Sequence, residues 1–385
     1  MIPSRPVVAA CATLVALISM VASGQSIPTW TVTRDMRIDA TEHDLSPIGW
    51  LAVASNGTIV ISQRQDSLLR FFTARGESLG AFGRGGAGPG EFRVVALHGW
   101  MGDTLWVNDP ELRRTTFISP DRKLVRTVAQ LNTVRLAGGD EARQVFAVFP
   151  RAWFPDGGSL VVLIEGAGAD GMRWPGATPG TPLLRVDSVG VFQSVAGTAP
   201  ENPCAVRYSL PGGGGSASIP YCGVPMDALA ADGSRYAVIT TEEQTGRRVA
   251  WRVTVTRSRG DTIFSRRYED EALALPRRIA DSVLSARLSS ARFPQQREAM
   301  RGMKVPAVYA PYSRILLGAD DSIWIERYTA SGNRLWQVLD AIGNPTGQLQ
   351  VPRAVHLLVA SRSAVWATDT DDDGLQHIVR HRVSR

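Results

Sequence analysis

A tight turn followed by a short apolar strand recurs six times along the chain, at residues 56–61, 102–107, 157–162, 232–237, 320–325 and 362–367. Three residues after the second turn position stands Val60, Trp106, Val161, Tyr236, Trp324 or Trp366. A short strand cannot bury its apolar faces alone, so repeated units of this kind must stack on one another. Six of them predict an all-β radial fold, most simply a six-bladed β-propeller. Strands such as Ile323-Trp324-Ile325 are apolar on both faces, which suits sheets packed face to face. The six bulky positions therefore read as packing residues between blades. Such a scaffold hosts many functions, so the fold by itself names none.

Each unit is followed by a hairpin with alternating apolar residues. Leu69-Arg70-Phe71-Phe72 precedes Arg75-Gly76-Glu77, and Thr116-Phe117-Ile118 precedes Pro120-Asp121-Arg122. The last of these, Ile378-Val379-Arg380-His381, is not followed by a return strand. Trp30-Thr31-Val32-Thr33 is expected to supply it, so that N- and C-terminal strands pair in one blade and leave no open edge.

The turns are anchored at 57, 103, 158, 233, 321 and 363, with intervals of 46, 55, 75, 88 and 42 residues. Blades of about 40–50 residues are usual for such repeats, so two intervals hold insertions. The first, residues 199–224, carries Cys204 and Cys222 in a Gly- and Pro-rich loop, and a disulfide between them is expected. The second, residues 268–304, has Ile279, Val283, Leu284 and Leu288 at helical spacing after Pro276, and predicts a small helical insertion. It reads as a decoration on one end of the propeller, or as a lid over the central channel. Residues 25–385 are expected to form one domain.

The 385 residues are 44% hydrophobic and 20% charged, an ordinary globular balance, and 37 Gly with 23 Pro suit turn-rich β structure. Residues 1–24 combine Arg5, an apolar run over 7–21 and the small residues Ala22-Ser23-Gly24, the pattern of a signal peptide cut before Gln25. The apolar run is short for a membrane span. Cys11 has too little apolar sequence before it for a lipidated start. No transmembrane segment is expected after cleavage, and the mature chain is expected in the bacterial periplasm or outside the cell, as a monomer. The formal charge of +6 is spread over scattered basic residues, with doublets such as Arg113-Arg114, Arg247-Arg248 and Arg266-Arg267. These read as solvated surface and do not support a nucleic-acid partner.

Residues 83–92 read Gly83-Arg84-Gly85-Gly86-Ala87-Gly88-Pro89-Gly90-Glu91-Phe92 and contain a literal G-x-G-x-x-G. A dinucleotide loop needs a strand before it and a helix after it. Here Pro89-Gly90 intervenes and residues 92–97 read as strand, so a tight loop between blades is expected. Phe82-Gly83-Arg84 followed by Gly88-Pro89-Gly90-Glu91-Phe92 resembles the glycine-rich linker of NHL-type repeats and of related bacterial exported six-bladed propellers. The order of turn, strand and hairpin extends that resemblance over most of residues 25–385. The resemblance implies architecture and export more than chemistry.

Asp369, Asp371 and Asp373 stand at alternate positions before Gly374, like the first half of a calcium loop. The place where an EF-hand needs Glu holds Arg380, so the first reading is an acidic turn and the second a weak calcium site. No other cofactor is expected. Asn56-Gly57-Thr58 reads as a hairpin turn. The innermost strands are expected near 47–54, 94–101, 144–153, 222–230, 307–317 and 353–361. They are largely apolar, and their polar candidates for ligand contact are His98, Asp227, Tyr309, Tyr312, Arg314 and His356. His98, Asp227 and His356 precede their anchors by five, six and seven residues, which sets them at different depths and partly on opposite faces. No shared metal site and no catalytic residue is expected. The leading functional expectation is a non-catalytic binding or scaffold protein that recognises a protein, peptide or glycan through end-face loops. The alternative is a hydrolase or lyase at the channel mouth, with or without a cation.

Overall fold

The computed structural model describes residues 27–45, 47–136, 147–164, 174–210, 213–245 and 247–385, and the backbone of 142–144. The expected signal peptide and Cys11 lie outside the described residues. The strands are grouped by the sequence repeat. Strand β1 (Thr29–Ile38) comes first. The first sheet holds β2 (Ile48–Val53), β3 (Ile59–Gln63), β4 (Leu68–Phe72) and β5 (Ser78–Phe82); the second holds β6 (Leu97–Met101), β7 (Thr104–Asp109), β8 (Arg114–Ile118) and β9 (Leu124–Ala129). After a small hairpin of β10 (Thr133–Arg135) and β11 (Ala142–Gln144), the third sheet holds β12 (Ala147–Trp153), β13 (Ser159–Ile164), β14 (Thr181–Val186) and β15 (Phe192–Ala199). A second hairpin, β16 (Ala205–Leu210) and β17 (Gly213–Ser218), leads to the fourth sheet of β18 (Met226–Leu229), β19 (Arg235–Thr245), β20 (Arg248–Arg257) and β21 (Thr262–Glu271). Helices α1 (Arg277–Ser290) and α2 (Pro294–Arg301) follow. The remaining strands are β22 (Arg314–Leu317), β23 (Ile323–Arg327), β24 (Arg334–Leu339), β25 (Pro345–Val351), β26 (Val355–Ala360), β27 (Ala364–Thr370) and β28 (Gln376–Ser384).

These last strands do not form two separate sheets. Together with β1 they make one eight-stranded sheet in the order β22-β23-β24-β25-β1-β28-β27-β26. The cause is that β1 bonds on both edges. It pairs antiparallel with β28 from Thr31↔Ser384 to Ile38↔Ile378, and parallel with β25 at Thr29↔Gln348 and Trp30↔Leu349. Four sheets of four strands therefore stand alone beside one of eight. The first strands β2, β6, β12, β18, β22 and β26 all line one central cavity. Antiparallel sheets arranged around a common channel define a β-propeller.

Packing follows the sequence repeat. The bulky positions all fall on the second strand of a unit, and Val60, Trp106, Val161, Tyr236 and Trp324 are buried. The rings need room that only glycine leaves. A Cβ on Gly99 would stand 2.6 Å from Trp106, and one on Gly197 would stand 2.5 Å from Tyr236 of the next sheet. The tight turns are also tied to one another. Arg235 donates to the Asp321 carboxylate at 2.7 Å, and Arg362 to that of Asp320 at 3.0 Å.

The glycine-rich segment 83–92 is a packed connector between the first and second sheets. Phe92 is fully buried, and Arg114 donates to the carbonyls of Ala87, Gly88 and Glu91 at 2.9, 2.6 and 2.8 Å. Arg114 is thus a clamp on the connector, where the doublet Arg113-Arg114 read as solvated surface. The innermost strand expected at 307–317 begins only at Arg314, because Pro306 and Pro311 cannot donate to a ladder. Cys204 and Cys222 are joined as a disulfide. Among the described residues no helix is long and apolar enough to cross a membrane.

Candidate functional site

Strand direction sorts the loops onto two faces. First strands end at the tight anchor turns, so all those turns lie on one face. Connections between sheets, and turns between second and third strands, lie on the opposite face, called here the connection face. Both long insertions are connections and share that face. They also pack together. Ala217 of the β16–β17 hairpin is buried with Ala291, Met300 and Met303, and with Val206, Tyr208, Leu284 and Leu288 around them. Arg287 of α1 donates to the carbonyl of Ser218, and the backbone of Ala310 donates to Tyr221 O at 3.1 Å. The disulfide closes the base of the hairpin.

Beside this cap, Tyr221, Tyr309 and Tyr328 come from three separate stretches of chain. Tyr309 stacks on Tyr328 with ring centroids 4.7 Å apart, and Tyr221 meets the two edge-on at 5.1 and 5.8 Å. A cavity of about 240 Å³ opens here, walled by Tyr221, Tyr309, the disulfide and Pro203, Pro306 and Pro311. Burial raises the Tyr309 phenol and pushes that of Tyr328 up to about 12, so both stay neutral donors near pH 7.

The central cavity is larger, about 730 Å³. His98 and Asp227 are the second residues of β6 and β18, and Arg314 is the first of β22, which puts all three toward the connection face. His98 stacks on Trp50 with centroids 3.7 Å apart and planes 10° from parallel. It lies deep in the molecule although part of it faces the cavity, and burial pushes its pKa down to about 3. Asp227 accepts from Arg151 Nη2 at 2.9 Å across neighbouring sheets. Residue-level reading missed Arg151. The register of β12 shifts between Pro150 and Ala152, which breaks the period-two alternation at Arg151, so spacing alone did not assign it a face.

The other sequence candidates lie elsewhere. Tyr312 is 1% exposed and its hydroxyl accepts from Thr241 at 3.2 Å. Its phenol is pushed up to about 12 by burial. His356 sits outside the cavity lining, exposed, with Nε2 2.8 Å from Arg334 Nη2. Burial and the charge of Arg334 lower its pKa. In the acidic turn, Arg34 lies 3.7 Å from Asp369. Asp371 accepts from the backbone of Asp373 and Leu375 and stands 2.9 Å from His377 Nε2. The turn thus spends the Asp371 oxygens on its own donors. Among the described residues no group of three or more His, Cys, Asp or Glu is arranged to hold a metal ion.

No family model matches the chain, and no curated protein matches it. Solved structures do. A protein described as exported from Bacteroides fragilis is 8% identical over 92% of this chain and 96% of that one, with a TM-score of 0.46. A member of the DUF4221 family from Bacteroides vulgatus is 10% identical over 94% and 100%, with a TM-score of 0.48. Virginiamycin B lyase from Staphylococcus aureus is 11% identical over 92% and 99%, with a TM-score of 0.34. Likeness at this level assigns no activity, and the propeller class rests on strand order and the shared channel.

Proposed function

We propose that this protein is an exported six-bladed, NHL-like β-propeller that binds a protein, peptide or glycan on its connection face without transforming it. The count of six treats the eight-stranded sheet as two blades, supported by the two-residue extent of the β1–β25 contact. Export is supported by the Cys204–Cys222 disulfide, since such bonds persist in oxidising compartments.

The observation that carries the binding reading is the tyrosine cluster beside the disulfide-tied cap. Neutral aromatic rings with a polar tip are suited to recognition surfaces, where they stack on sugar or peptide and donate one hydrogen bond. The central cavity favours binding over proton transfer for a separate reason. A general base works best with a pKa near the working pH, whereas burial pushes that of His98 down to about 3. The test is capture of envelope-derived glycans and peptides by the mature protein and by a Tyr309→Ala/Tyr328→Ala variant. Saturable capture that falls at least tenfold in the variant is expected, roughly the loss of two stacking contacts. Equal capture by both proteins, or none by either, overturns the reading.

A further inference from the structure

We propose that the central cavity binds a small organic carboxylate, with the acid group on Arg314 and an apolar body against the wall that Trp50 and Trp100 line. This site is distinct from the tyrosine cluster and does not depend on it.

Charge balance carries the assignment. Arg151 and Asp227 form a pair and cancel. Arg314 lines the same cavity and donates Nη1 to the carbonyl of Leu357 at 2.6 Å, but forms no ion pair among the described residues. Its cross-strand neighbour Glu326 is engaged by Arg334 at 2.6 Å. His98 adds no charge near pH 7. The cavity wall therefore carries one cation more than it has carboxylates. Desolvating a guanidinium is costly unless an anion pairs with it. A carboxylate meets guanidinium geometry with two parallel hydrogen bonds, which a point charge cannot do.

Chemical type points the same way. Trp50 and Trp100 line the cavity with their rings, and Trp50 is 9% exposed. An ionised carboxylate accepts only, so it suits the surplus guanidinium of Arg314, whereas an amine or ammonium does not. The rest of the wall comes from residues such as Leu51, Ala52, Ala228, Ile315 and Leu316. A space of about 730 Å³ holds a ring and a short chain, which is the usual scale of a small-molecule site.

The test uses the mature full-length chain, with 4-phenylbutyrate as the acid probe and 4-phenylbutanol as its neutral counterpart, followed by titration calorimetry and tryptophan quenching. The acid is expected to bind saturably and at least tenfold more tightly than the alcohol. Arg314→Gln should abolish that preference and Arg314→Lys should keep part of it, each checked for an unchanged fold by circular dichroism. Ala228→Phe, which adds bulk to a lining residue, should weaken both probes. Equal binding of acid and alcohol, no acid binding up to millimolar concentration, or a preference unchanged by Arg314→Gln would overturn the proposal. Should Arg314→Gln not fold, the acid-to-alcohol preference and the Ala228→Phe result decide alone.

Discussion

His98 shows how a single side chain couples the cavity to stability. Its imidazole lies flat on Trp50 and titrates near 3, against an ordinary value of 6.5. The folded state thus resists a proton that the unfolded chain accepts. Its contribution is fully present above about pH 6.5 and is lost as pH falls toward 3. His356 and His381, also lowered mainly by burial, act in the same direction. Replacing His98 with Phe keeps the stacked ring and removes the titration. Thermal melts at pH 7 and pH 4 should show a smaller acid loss in His98→Phe, by roughly 2 kcal/mol after discounting for water in the cavity. An identical acid loss in both proteins would show that His98 is not the titrating group. His377 plays a different part. Its Nδ1 accepts from the backbone of Ala40 at 3.0 Å, so its proton sits on Nε2, toward Asp371. It ties the turn after β1 to the acidic turn, a role its sequence context does not announce.

At the scale of elements, the two insertions are the least autonomous parts of the chain. Helix α1 buries none of its residues completely and has no side-chain cap at its N-terminus. An isolated helix of that length is marginal in water. The β16–β17 hairpin likewise carries a run of glycine, and two-stranded hairpins are weak alone. Each supplies the apolar surface the other lacks, and the disulfide ties the base of the hairpin. Cys204→Ala/Cys222→Ala should cost about 3 kcal/mol on the loop-entropy account. Hydrogen exchange should rise across β16, β17, α1 and α2 while the sheet interiors stay protected. Uniform loss of protection through all sheets would argue that the cap is part of one cooperative unit with the propeller.

For the whole molecule, closure depends on β1. Trp30 packs edge-on against Trp324 at 6.0 Å, and its ring covers Gly347 of β25. A Cβ on Gly347 would stand 2.1 Å from that ring, with no flexible atom to yield. Gly347→Ala should cost about 1–3 kcal/mol by overpacking. It should also hasten proteolysis within residues 29–38, since β1 would be lifted from β25. Gly213→Ala, where an added Cβ meets nothing within 4 Å, is the matched control. Equal melting temperatures for Gly347→Ala and the control would mean that the β1–β25 contact does not hold the ring shut.

Much of the architecture was legible because it rests on local rules. Turn residues, strands apolar on both faces and the fixed bulky position define units that must stack, whatever the order of their neighbours. The cysteines and the helical spacing of 279–288 were equally visible. What the sequence could not contain was proximity between residues far apart in it. Arg151 meets Asp227, Arg114 clamps the 83–92 connector, and Tyr221, Tyr309 and Tyr328 converge only through the cap. The exact join at β25 and β1 was also hidden, because a strand's second edge is chosen by its neighbours. By itself the sequence determined a turn-rich, all-β repeat whose apolar strands have to stack. Tertiary structure alone decided where the repeat closes and which charges share the channel, because those depend on long-range burial and pairing that no local pattern encodes.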